Sequence, residues 1–383
     1  MSAGLTPELE QMRAALRKFT TQELEPWARV IDETDEVPGD VPKLLARNGY
    51  LGMRLDEAFG GGGLGLAPYC LTLEEFSRSH RVFTTVVAAS SGNTPLAIAR
   101  FGTDAQRRKY LRGLADGTTR TAFALTEPEA GSDSAAIKTR AERTAKGWVL
   151  NGRKHFISGA HVADFVMVMA VTDPAKRARG GITAFLVERG TPGFAVTRLD
   201  TTIGSGAIKL AELTFEGCRL DDAAVLGEVG QGFRIAMESL TEGRLSVACS
   251  CIGTADRLLE MSVAHAQARH TFGKPLAERQ AIQWMIADSA VELAAARALT
   301  YSAILDVEAG ADTGSRPSMC KLYCSEMVGR VADRAVQIHG GMGVIRGFPV
   351  ERFYRDVRHY RIGEGSSEIQ RMLIARGLLK SSG

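Results

Sequence analysis

Several places in the chain set side chains capable of chemistry where the backbone can bring a ligand close. Near the C-terminus, Ile362-Gly363-Glu364-Gly365-Ser366-Ser367-Glu368-Ile369-Gln370-Arg371 places a carboxylate between two glycines. Ser367 with Gln370 has the spacing of a capping box that opens a helix, so Glu364 falls in the connection before it and is not needed for capping. Glycines on both sides let a substrate approach a general base closely, although a solvated loop glutamate has the same spacing. Leu125-Thr126-Glu127-Pro128-Glu129-Ala130-Gly131-Ser132-Asp133 reads as a strand entering a turn of hydroxyls and small residues. Its N–H groups could meet a ligand, or it could simply end a strand. Phe156-Ile157-Ser158 sets an aromatic two residues from a hydroxyl, with core packing of Phe156 as the plain alternative. Arg269-His270-Thr271-Phe272-Gly273, with Gln280 opening the next helix, pairs a guanidinium with an aromatic, which suits a ligand carrying phosphate and a ring. A helix C-terminus with a dipole-offsetting arginine and a glycine stop fits that stretch equally.

Other motifs fail. Gly60-x-Gly62-x-x-Gly65 has the form of a dinucleotide fingerprint but follows a helical segment, with no acidic residue about 20 positions on. It reads as a flexible turn. No Gly-x-Ser-x-Gly elbow is present. Cys320 and Cys324 share a helix face without a second Cys or His pair at zinc spacing, and the six cysteines are read as reduced thiols with no metal site.

The elements that must hold these residues fall into three stretches. A length of 383 residues exceeds one core. From Thr6 to about Gly117 the pattern is helical, opening with Thr6 as N-cap, Pro7 at N1 and the stripe Leu9, Met12, Leu16, Phe19. From Thr121 to about Leu226 the runs are short and β-rich: Thr121–Leu125, Trp148–Leu150, Phe165–Val171, Thr183–Val187 and Leu210–Phe215. Asn151-Gly152 predicts a hairpin turn. From Gly230 long helices return over Arg234–Arg269, Gln280–Ala309 and Pro317–Ile338, with shorter ones near Val350 and Ser367. The expectation is an α+β multi-domain protein: an N-terminal helical domain (1–120), a middle β-barrel or sandwich domain (121–229) and a C-terminal four-helix bundle (230–383). A formal charge of +3 and 24% charged residues suggest neither nucleic acid nor a membrane surface. With no apolar leader and no window near a span's length, a cytoplasmic protein is expected.

Taken together, Glu-Pro-x-Ala-Gly-Ser-Asp at 127–133, Arg-x-x-Phe-Gly at 269–273, Gln-x-x-Gly-Gly-x-Gly at 337–343 and Gly-Glu-Gly-Ser-x-x-Ile at 363–369 resemble the acyl-CoA dehydrogenase family, in the family's order, from about Thr6 to Leu379. The resemblance implies FAD as cofactor and an acyl-CoA thioester as substrate. Glu364 would take the α-proton while the β-hydride leaves to flavin N5, giving a trans-2-enoyl-CoA. Electrons would pass to an electron-transfer flavoprotein. It places Phe123, Thr126 and Ser132 along flavin and thioester, Phe156 over the isoalloxazine and Ser158 near its N5. Arg269, Phe272 and Gln280, with Gln337 and Gly341, would serve the FAD of a neighbouring subunit in a homo-oligomer, a tetramer. Ser366 and Glu368 would complete the cofactor site. Ser132, Gly243, Arg244, Gly363 and Gly365 would border the substrate.

Some positions depart from common family patterns. Phe156 stands where tryptophan is frequent, and Gly363 where a tyrosine is. Gly243 occupies the place where a minority of members carry their base, with Glu242 beside it. The two glycines predict extra volume near the α and β carbons and tolerance of a branched or cyclic acyl group. Competing functions are a flavin oxidase on the same scaffold and a non-catalytic FAD-binding homologue.

Overall fold

The computed structural model describes residues 5–311 and 313–380; residues 1–4, 312 and 381–383, the last of these and the first at the outer edges of the expected domains, lie outside it. The N-terminal part is helical: α1 (Pro7–Phe19), α2 (Glu25–Thr34), α3 (Asp40–Arg47), α4 (Leu66–Phe76), α5 (Arg81–Ser91), α6 (Asn93–Phe101) and α7 (Asp104–Asp116). Thr6 caps α1 as expected, its side chain accepting from Leu9 N. The helix widens into a π turn at Thr20–Leu24 just before Pro26, where a proline ring would crowd the carbonyl four residues back. The glycine run at 60–65 is a loop, as read, and Glu308 closes it by accepting from Ala67 N at the start of α4.

The middle part is one sheet curved around its own core. Its strands are β1 (Thr121–Ala124), β2 (Arg140–Thr144), β3 (Gly147–Ser158), β4 (Phe165–Val171), β5 (Ile182–Glu188), β6 (Phe194–Thr201), β7 (Lys209–Leu220) and β8 (Val225–Leu226), in the order β6-β7-β3-β2-β4-β5-β8 with β1 parallel to β4. Trp148, Leu150, Val166, Val168, Phe185 and Phe215 fill the inside. The other face of β4 and β5 packs on α6, α7 and the bundle through Met167, Met169, Ile98, Leu111 and Ile235. A strand buried on both faces carries a continuous apolar run, which is why Phe165–Val171 was legible.

The hairpin is not where Asn151-Gly152 predicted it. β3 runs straight through that pair, and the turn is Ala145-Lys146, between Thr144 and its partner Gly147. Asn151-Gly152 marks instead a register shift against β7. A Cβ on Gly152 would lie 2.6 Å from the Thr139 Cα, so the glycine admits a neighbouring backbone rather than reversing the chain. β2 and β6, exposed at most positions, were not anticipated.

The C-terminal part is α8 (Gly232–Ala268), a small hairpin of β9 (His270–Thr271) and β10 (Lys274–Pro275), then α9 (Gln280–Glu308), α10 (Arg316–His339), α11 (Pro349–Val357) and α12 (Ser367–Lys380). α8 is the central helix, and Ala248–Ala255 is buried on every side. The six cysteines are free and buried, as expected of core thiols. One expectation needs correction: Arg81–Phe101, 21 residues, is long and apolar enough by composition to cross a membrane. It is broken at Gly92 into α5 and α6, and Val82, Phe83, Val87, Ala97 and Ile98 pack into the cores.

α4 and α8 touch closely at Gly253, where a Cβ would fall 1.8 Å from the Glu74 carbonyl oxygen and 2.3 Å from Ser77 Oγ. Neither helix can yield without disturbing Glu74, which holds Arg297 and Tyr301 in a buried network. We therefore expect Gly253→Ala to destabilise the fold by about 1–3 kcal/mol, read as a lower denaturant midpoint at unchanged m; an unchanged midpoint would contradict this packing.

Candidate active site

Glu364 lies in the connection between a turn at 358–361 and α12, and its backbone is left-handed at φ 55°. That conformation costs a non-glycine residue about 1–3 kcal/mol unless its surroundings enforce it. Gly365 follows at φ 87°, so the chain makes two left-handed steps in succession. Lys321 Nζ on α10 donates to the Gly365 carbonyl at 2.7 Å. The Gln370 side-chain amide donates to the carbonyls of Glu364 and Gly365, at 3.1 and 2.9 Å.

This geometry revises the capping-box reading. Gln370 turns back to the loop, Ser367 Oγ donates to Glu326, and Ser366 Oγ is the oxygen that faces Ile369 N.

The carboxylate points at α8. A Cβ on Gly243 would lie 2.9 Å from Glu364 Oε2 and 3.4 Å from Asn93 Oδ1. Gly243 is thus the gap that admits the carboxylate. Oε2 is sealed from solvent and has no hydrogen-bond partner. Burial raises the Glu364 pKa above the ordinary carboxylate value, with the charges of Arg244 and Lys321 working against it. Glu242 is the opposite case. Burial disfavours its ionised form, but Arg54 and Arg100 outweigh that and hold its pKa low. Both arginines contact it, Arg100 at 2.5 Å. A carboxylate so neutralised is a weak proton acceptor.

The expected extra volume is not found. A Cβ on Gly363 would lie 2.8 Å from His359 Nε2, so an imidazole occupies that space. Burial, together with the charges of Arg81 and Lys321, lowers the His359 pKa to about 3, and the ring is neutral. The Gly243 gap holds the base itself. The inference of a branched or cyclic acyl group drawn from these two glycines therefore loses its premise.

The β-domain side meets this site at the start of α6, where Thr94 Oγ1 lies 3.5 Å from the Ala122 carbonyl, next to Phe123 on β1. Thr126 follows β1, and its carbonyl accepts from His155 N. A second register shift in β3, between Lys154 and Ile157, turns Phe156 out of the ladder at φ 60°. Its ring is 53% exposed and stacks on His155 at 3.8 Å. Ser158 and Ser132 are exposed near by in sequence, at the strand end and in the turn. Beneath the turn, Lys154 is fully buried and donates to Glu127 and to the Leu125 carbonyl. Glu127 also accepts from the N–H groups of Lys138 and Thr139, so one carboxylate pins the turn.

Arg269, Phe272, Gln280, Gln337 and Gly341 are all exposed and gather elsewhere. Phe272 is 97% exposed at the tip of the β9–β10 hairpin. The His265 and His339 rings, 4.4 Å apart, bring the ends of α8 and α10 together there. From Gly243 to that end runs roughly 25 residues of α8, about 38 Å at helical rise. Of the remaining site residues, Gly363, Glu364, Gly365 and Ser366 share the connection into α12, Glu368 lies in its first turn, and Arg244 neighbours Glu364 by charge.

Sequence reasoning missed Lys321, Gln370, His359, Asn93 and Lys154. Lys321 had a signal: it interrupts the buried face Pro317, Cys324, Val328, Val331, Ala335 of α10 at helical spacing.

Family models for the N-terminal, middle and C-terminal domains of acyl-CoA dehydrogenase match residues 6–118, 122–218 and 230–379. The chain is 40% identical over 382 residues to acryloyl-CoA reductase (NADH) of Anaerotignum propionicum, covering 99% of this chain and 96% of that one. Butyryl-CoA dehydrogenase from Megasphaera elsdenii superposes with a TM-score of 0.93 at 34% identity, covering 99% of this chain and 100% of that one. The FAD complex of PigA superposes at 0.94 with 27% identity, covering 99% of both. The chain belongs to the acyl-CoA dehydrogenase family. It is an oxidoreductase, and its cofactor is FAD. The site fits a flavin on its own terms, because an aromatic ring held outward by a left-handed bulge has an open face.

Since the His359 ring fills the place of a Gly363 side chain, Gly363→Ala should lower the melting temperature, and adding His359→Ala should recover part of the loss. We expect a coupling of roughly 0.5–3 kcal/mol in the double-mutant cycle; strictly additive melting shifts would mean that the two positions do not compete for space.

Proposed function

We propose that the protein dehydrogenates an acyl-CoA thioester between its α and β carbons to a trans-2-enoyl-CoA, with Glu364 as the base. The observation that carries this reading is a carboxylate oxygen with no partner, sealed from water, facing the gap left by Gly243. An α-hydrogen beside a thioester is weakly acidic, so its acceptor must have no competing hydrogen bonds and must be more basic than an ordinary carboxylate. Glu364 has both properties and Glu242 has neither.

FAD, when bound, supplies at its N5 the acceptor for the β-hydride. Phe123, Thr126, Ser132, Phe156 and Ser158 would hold it from the β domain, and Ser366 and Glu368 from the start of α12. Arg269, Phe272, Gln280, Gln337 and Gly341 gather beyond the far end of α8, too far to reach a cofactor beside their own Glu364. They would serve the FAD of a neighbouring subunit in a homo-oligomer, read here as a tetramer. Glu364, Arg244, Gly365 and Ser132 would border the substrate.

An electron-transfer flavoprotein would take the electrons. The relative that acts as a reductase favours testing the opposite direction too, since one base and one hydride position serve both 2-enoyl-CoA reduction and acyl-CoA dehydrogenation.

Three outcomes test this. Glu364→Gln should keep FAD absorbance while kcat falls about 10²–10⁴-fold, and Glu242→Gln should keep the chemistry; the reverse pattern would reassign the base. The base works only ionised, so kcat should be lost as pH falls through an apparent pKa above the ordinary carboxylate value, and an acid limb at or below that value would contradict the buried site. Light scattering should give a tetramer, with weaker FAD binding in Arg269→Ala; a monomer holding FAD stoichiometrically would refute the shared site.

A further inference from the structure

Two buried donors converge on the loop that carries Glu364. The Gly365 carbonyl receives both Lys321 Nζ at 2.7 Å and Gln370 Nε2 at 2.9 Å, and Gln370 reaches the Glu364 carbonyl as well. Both side chains are fully buried. Gly365 is required by this arrangement: besides its φ of 87°, a Cβ there would fall 2.7 Å from Gln370 Nε2. A lysine buried in a helix interior costs desolvation that a hydrogen bond to a neutral carbonyl does not offset fully. Its retention at the centre of an otherwise apolar helix face therefore calls for a further role.

We infer that Lys321 and Gln370 are positioning residues for the reaction: the two amine and amide donors lock the left-handed Glu364-Gly365 turn, and the Lys321 ammonium supplies a positive charge that the base faces. The inference rests on the reading of Glu364 as the base. The charged and titratable groups around the pair are few. Glu364 is faced by Arg244 from α8 and Lys321 from α10. Lys321 is faced by Cys251 and Arg244 from α8, Glu326 from its own helix, Glu368 from α12, and Glu364. His359, on the turn before the loop, is neutral. Burial draws the Lys321 pKa down to about 8, with Cys251 and Glu364 opposing, so the lysine is still charged at neutral pH. Its charge then lowers the Glu364 pKa from the level burial alone would set. The division of labour follows: Lys321 contributes charge and geometry, Gln370 geometry alone.

The test is the acid limb of kcat in the FAD-loaded enzyme, measured in four variants. Lys321→Met removes donor and charge, and should lower kcat and move the limb upward by about one pH unit, the low end of what a close opposite charge does. Lys321→Arg keeps the charge and should return the limb towards wild type even where kcat stays low. Gln370→Leu should lower kcat with the limb unmoved. Lys321→Gln keeps a donor without charge and serves if the methionine variant does not fold; its limb should move as for methionine. A limb that coincides with wild type in folded, FAD-bound Lys321→Met or Lys321→Gln overturns the charge role. A wild-type kcat in Gln370→Leu overturns the geometric one. Glu364→Gln runs alongside: if it stays active, the assignment of the base has failed; if it is inactive while the Lys321 limb is unmoved, only this inference has.

Discussion

The rest of the site depends on one constraint: a carboxylate oxygen must be taken out of water and left without a partner, yet held in one place. Water withdrawal makes Glu364 more basic, but an unpaired buried oxygen is also a liability to stability. The protein meets both demands through the backbone. The side chain is left free, and the two carbonyls that follow it, those of Glu364 and Gly365, are fastened by Lys321 and Gln370. Gly243 opens α8 at the level where the carboxylate arrives, and the left-handed φ of Glu364 aims it there.

The helical bundle serves that constraint. α8 presents Gly243 and Arg244 to one side of the loop, and α10 presents Lys321 to the other. Both helices need rigid neighbours, which the Gly253 contact with α4 and the Glu74 network with Arg297 and Tyr301 provide. The β domain uses the same device at its own edge. There a buried Lys154–Glu127 pair fixes a turn through backbone N–H groups, with Ser158 and the Phe156 ring exposed beside it. In both places a buried charged side chain holds main chain near groups suited to a ligand.

Features that follow from periodicity or from a local cap were legible in the sequence. The order of helical, sheet and helical parts was readable because β4 is buried on both faces and α8 to α10 are long. The Thr6 cap was readable for its local chemistry. Asn151-Gly152 misled because a glycine that admits a neighbouring backbone has the same letters as a glycine that turns a chain. Ser367 and Gln370 misled because a capping box and a loop clamp share one spacing. Glu364 stood out between its glycines, but what fills the space beside them did not. His359 is close in sequence, whereas Asn93 and Lys321 come from other helices, and only the fold brings these together.

The most direct test of the account separates proton removal from hydride departure. The protein with FAD would be incubated in D₂O with a butyryl-CoA analogue whose β-carbon is replaced by sulfur, so that no β-hydride can leave. Deuterium at the α-carbon would then be followed by mass spectrometry. Wild type and Glu242→Gln should exchange the α-hydrogen, and Glu364→Gln should not. Exchange at the wild-type rate in FAD-bound Glu364→Gln would contradict the account, because another group would then be taking the proton.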